Sequence, residues 1–88
     1  MADQFWRVRE DLVYRKLADG GMLYDNLQQR VHHLNATAAF VWENCCQRRS
    51  SAEIVEQLCA SFEVERSRAE LDVGAILRQF THAELLQS

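Results

Sequence analysis

The feature that most constrains this fold is a change of hydrophobic period at Asn35. Before it, Arg30-Val-His-His-Leu34 reads as a short strand. After it, Ala38, Val41 and Cys45 continue one apolar face from Leu34, with Trp42 beside them. That spacing belongs to an amphipathic helix. Asn at the junction is a strong helix N-cap, because its side-chain oxygen accepts an unpaired amide of the first turn. The pattern predicts a strand over 30–34 and a helix from Ala36 to Cys46.

The rest of the chain follows from that junction. Leu12 to Leu17 is rich in β-favouring residues and predicts a strand, preceded by an extended arm at Trp6 to Val8. Asp19-Gly20-Gly21 reads as a turn using the positive φ open to glycine. Met22 to Tyr24 is the second strand, Asp25 to Gln29 the next turn and Arg30 to Leu34 the third strand. The expected sheet is an antiparallel meander with its third strand at an edge. A second helix is predicted over Ser51–Phe62, opened by the capping box Ser50-Ser-Ala-Glu53. A second box, Ser67-Arg-Ala-Glu70, predicts the start of a third helix with Ala69, Val73, Ile76, Leu77 and Phe80 on one face. Leu71 falls off that stripe. With no proline present, nothing forces a break before Leu85-Leu86. The fold class is α+β and winged-helix-like, a three-stranded antiparallel sheet followed by three helices. It forms one domain over 1–88, with 1–11 as an N-terminal arm.

Composition narrows the function. A net charge of −3 and pI near 5.5 argue against a nucleic-acid reader, whose affinity rests on a concentrated basic face. Only Gln47-Arg48-Arg49 is locally basic. Three cysteines, Cys45, Cys46 and Cys59, make no C-x-x-C pair, which favours a reducing compartment over a disulfide framework or a zinc site. Met1-Ala-Asp-Gln opens no signal peptide, and no stretch approaches the ~20 apolar residues of a membrane helix. A cytoplasmic protein is expected.

No constellation assembles an active site. His32 and His33 are adjacent in a strand, so they point to opposite faces and cannot share a metal. His82 is distant. Cys45 and Cys59 read as small core residues and Cys46 as peripheral. Glu53, Glu56, Glu63, Glu65, Glu70, Asp72 and Glu84 suit caps and solvent faces. Gly20-Gly21 lies between strands and opens no phosphate-binding helix. No catalytic residue, metal or cofactor is expected. The edge strand is different: an extended peptide could pair with Arg30–Leu34 and rest on the third helix, with main-chain bonds giving affinity and side-chain pockets specificity.

Several of these residues carry a resemblance. Leu34-Asn35-Ala36-Thr37-Ala38, Ile54-Val55 with Leu58 and Phe62, then Asp72-Val73, Leu77, Phe80 and Leu85-Leu86 resemble the PqqD-like family. The resemblance spans roughly Leu12 to Leu86. It departs at Glu84, where the family carries a glycine that would cap the last helix. The resemblance implies a non-enzymatic peptide chaperone, also called a RiPP recognition element. Such proteins bind the leader of a ribosomally made precursor and present it to a modifying enzyme, often of radical-SAM type, as in pyrroloquinoline quinone biosynthesis. The site implied is Arg30, Val31, His32, His33 and Leu34 on the strand, with Asp72, Val73, Ile76, Leu77 and Phe80 on the helix. The runner-up is a winged-helix nucleic-acid-binding protein. Exchange of the arm about Asp19-Gly20-Gly21 would give a homodimer.

Overall fold

A computed structural model describes residues 6–87; the first five residues of the expected arm lie outside them. The strands are β1 (Arg7–Val8), β2 (Leu12–Leu17), β3 (Gly20–Asp25) and β4 (Arg30–Asn35). The helices α1 (Ala36–Cys46), α2 (Ser51–Phe62) and α3 (Arg66–His82) follow, and β5 (Leu86–Gln87) closes the chain. β2, β3 and β4 form an antiparallel sheet in that order, so β3 is central and β4 is an edge. Three helices follow the sheet, as the sequence predicts, and α1 packs directly against β3 and β4.

Local chemistry explains most boundaries. Asn35 is the N-cap of α1, its Oδ1 accepting from the Ala38 amide at 2.8 Å. Ser50 and Glu53 form the complete capping box of α2. The predicted box at Ser67 is not used. α3 begins at Arg66 behind Glu65, which makes no side-chain cap bond. Ser67 is already inside the helix, and the Glu70 carboxylate lies 3.6 Å from Arg66 instead of reaching back to an amide.

Gly20 and Gly21 are also corrected. Both lie in β3, buried and without positive φ, and the turn is Ala18-Asp19. Glycine is needed for space. A Cβ on Gly20 would collide with the Leu34 carbonyl oxygen, and one on Gly21 would sit 2.6 Å from the Tyr14 ring. That ring is itself fixed, since the Tyr14 hydroxyl donates to Glu43 Oε2 at 2.6 Å. Burial and this carboxylate push the phenol's pKa up.

The core joins Leu23 and Leu34 of the sheet to Val41, Trp42 and Cys45 of α1, Ile54 and Leu58 of α2, and Val73, Leu77 and Phe80 of α3. Trp42 and Phe80 meet edge to face at 5.4 Å, an arrangement that contributes about 0.5–1.5 kcal/mol beyond area burial.

β1 and β5 pair antiparallel, Arg7 opposite Gln87 and Val8 opposite Leu86, forming a second small sheet. A buried clasp reinforces it. Arg9 Nη1 and Nη2 each donate to the Asp25 carboxylate at 2.9 Å, and Nη1 also donates to the Glu84 carbonyl at 3.1 Å. Arg9 further bonds Asp11. The Asp25 side chain is fully buried, and the guanidinium hydrogen bonds hold its carboxyl below the usual carboxylate range.

α3 stops at a Schellman motif. The Leu85 amide donates to the Phe80 carbonyl at 2.9 Å and the Glu84 amide to Thr81 at 3.0 Å. Glu84 takes the left-handed position with φ 61. The helix therefore ends as a glycine would end it, with the non-glycine residue bearing the strain.

Candidate functional site

Among the described residues no strand pairs with the outer edge of β4, which leaves six residues of edge free. Its side chains alternate: Arg30, His32 and Leu34 share the face of Leu23, while Val31 and His33 lie with Tyr24 and Met22 on the outer face. Val31 is 52% exposed and Leu34 is buried. The histidines divide as expected, His32 half-buried and His33 exposed. His32 Nε2 is shielded from solvent without a partner among the described residues. β2 is the other edge, but Arg15 and Lys16 are both exposed along it, and charged edge residues discourage pairing.

The three flanks of α3 differ. Ala69, Val73, Leu77 and Phe80 face the core. Arg66, Glu70, Gly74 and Arg78 share a cleft with Ser51, Ala52 and Val55 of α2. At about 100° per residue, Asp72, Ile76, Gln79 and Ala83 fall on the flank turned away from α2. Of the five predicted α3 site residues, Val73, Leu77 and Phe80 are therefore core, at 4% exposure or less. Asp72 and Ile76 are only partly buried. Gln79 and Ala83 complete their flank; they lie outside the motif residues, and only the helical wheel points to them. Gln28 Nε2 donates to Glu84 Oε1 at 3.3 Å, so the turn leading into β4 meets the C-terminal end of α3. Leu71 is 70% exposed, as its position off the stripe predicts.

The chemistry of the thiols is inert. Burial pushes Cys45 up to about 12, and burial together with the Glu43 charge raises exposed Cys46. Neither is set up as a thiolate nucleophile. Among the described residues, no three His, Cys, Asp or Glu side chains gather as metal ligands, and no helix is long and apolar enough to cross a membrane.

Fold and site together define a class: a small α+β domain whose three-stranded sheet ends in an edge strand that runs directly into a layer of three helices. The family profile described as Coenzyme PQQ synthesis protein D (PqqD) matches residues 20–86, and the chain belongs to that family. Two solved structures are similar over nearly the whole chain. One is described as TbiB1 in complex with the TbiA(beta) leader peptide, with 24% identity, a TM-score of 0.85, and 93% of this chain and 95% of that one covered. The other is described as lasso peptide synthetase B1 complexed with the leader peptide, with 25% identity, a TM-score of 0.84, and 97% and 100% covered. No match is found among curated proteins.

Proposed function

We propose that this protein is a non-enzymatic, cytoplasmic peptide chaperone. It binds the leader of a ribosomally made precursor peptide and presents it to a modifying enzyme. The observation that carries this reading is the six-residue edge of β4, unpaired among the described residues, supported by membership of the PqqD family and by similar structures described as leader-peptide complexes. The leader adds a strand to Arg30–Leu34 through backbone hydrogen bonds. Its side chains rest on Asp72 and Ile76, while Val73, Leu77 and Phe80 hold that wall in place from the core side.

The modifying enzyme of the first reading is of radical-SAM type, as in pyrroloquinoline quinone biosynthesis. A lasso peptide synthetase is a second reading, favoured by the likeness to lasso peptide synthetase B1. Nucleic acid is disfavoured by the pI near 5.5. Exchange of the N-terminal arm between copies would make a homodimer, which light scattering reads directly.

The test is titration of ¹⁵N-labelled protein with the precursor's leader. Shifts concentrated along Arg30–Leu34 are expected. A leader N-methylated at alternate backbone nitrogens loses affinity in one of its two methylation registers and not in the other, because only alternate groups face the edge. Absence of shifts along β4 overturns the proposal.

A further inference from the structure

Apart from Val73 and Leu77, which back the leader's wall from the core, the residues of the cleft on the opposite flank of α3 have no part in that reading. The cleft holds about 440 Å³ between α2, α3 and Trp6 of the arm. Its walls are Trp6, Val55, Val73 and Leu77, and its α3 side is the bare backbone at Gly74.

Glycine in mid-helix lowers helix stability, and here the packing of the described residues gives it no reason. A Cβ at Gly74 would meet only the far end of Arg78, with Nη1 at 3.4 Å. A helical glycine without an internal packing role suits close approach by another backbone. Arg78 beside it is exposed and makes no hydrogen bond or ion pair with any described residue. Arg66 is by contrast committed to Glu56 at 3.2 Å and to Glu70 at 3.6 Å, so Glu70 is already matched and Arg78 is the unanswered charge. Trp6 Nε1 is shielded and has no acceptor among the described residues.

We propose that the α2–α3 cleft is a second docking site, for a partner polypeptide that sets an apolar side chain on Val55, Val73 and Leu77 and an adjacent carboxylate on Arg78. Its main chain crosses at Gly74. A macromolecule is the occupant because the glycine clears space for a backbone, whereas a free acid needs only the apolar floor and the arginine. The site stands apart from β4, so the protein can hold a leader on one flank of α3 and a partner on the other.

Spectra of the full ¹⁵N-labelled chain titrated with acetyl-Gly-Leu-Glu-amide test this. Millimolar binding is expected for a probe of this size, with shifts at the Trp6 indole N–H, the Gly74 amide and Arg78. The Gln analogue should bind about two- to fivefold more weakly, the range of one exposed ion pair. Arg78→Gln should make the two peptides equal, and Gly74→Leu, which fills the cleft with a better helix former, should abolish binding with the fold intact. Equal binding of both peptides to the wild-type chain, no shifts, or shifts confined to β4 overturns the proposal. Tighter binding of free 4-methylpentanoate than of the acidic peptide also overturns it, in favour of a small-molecule site. Leader binding at β4 can succeed or fail independently of every one of these results.

Discussion

Glu84→Gly should stabilise this protein. Glu84 holds φ 61 inside the motif that ends α3. A left-handed residue with a Cβ costs roughly 1–2 kcal/mol. Glycine removes that strain but gives the unfolded chain more freedom, worth about 0.4–1 kcal/mol in the other direction. The exposed Gln28–Glu84 hydrogen bond, 3.3 Å long, is also lost; its contribution is at the bottom of the range of about 0.5–1.5 kcal/mol for such bonds. The Arg9 contact is unaffected, because it is made to the Glu84 carbonyl. With mid-range values the net expectation is a gain of about 0.3 kcal/mol, rising to about 1 kcal/mol if the strain is at the top of its range and the entropy term at the bottom of its own. That is a melting temperature higher by about 1–8 °C for a domain of this size. Thermal and urea denaturation read it, with Glu84→Ala as control. Alanine keeps the strain and loses the Gln28 bond, so it should be destabilised by about 0.5 kcal/mol. If glycine is no more stable than alanine, the left-handed strain does not limit the end of this helix and the reasoning fails.

Other perturbations test other parts. Gly20→Ala should destabilise the sheet by about 1–3 kcal/mol, the cost of overpacking, because its Cβ meets the Leu34 carbonyl; a urea midpoint unchanged from wild type would refute the close-packing account. Asp25 titrates below its ordinary value because Arg9 hydrogen-bonds its ionised form. Its contribution is therefore fully present above the unfolded-state value of about pH 4 and lost as pH falls through the lower folded-state value. Asp25→Asn should flatten that acid limb of a stability-versus-pH curve. Ile76→Ala should weaken leader binding roughly fivefold, about 1 kcal/mol, in calorimetric titration; unchanged affinity would place the leader elsewhere.

What the sequence showed and what it hid divide by the range of the interaction. Asn35 and Ser50 cap helices through partners three residues away, so both starts are legible. Ser67 and Glu70 have the same local pattern, yet Arg66 competes for the carboxylate and α3 starts two residues earlier than that box allows. The glycine pair carries a local turn signature, whereas its real constraint, contact with Leu34 and Tyr14, comes from neighbouring strands. The β1–β5 pair and the Arg9 clasp link residues far apart in the chain, and two-residue strands leave no periodicity to detect. For the candidate site, the edge strand was readable from the meander. The division of α3 into core, cleft and outer flank was not, because Val73, Leu77 and Phe80 carry a motif whose residues pack inward.

The β1–β5 ladder has a consequence for engineering. Arg7 lies opposite Gln87, and paired strands run about 5 Å apart. A polypeptide thus enters and leaves this unit through the same small window. A surface loop of another protein could be opened and this domain spliced into it without prying the host's strands apart. A leader-reading module could in that way be carried inside a modifying enzyme, as a graft at one position rather than a separate subunit.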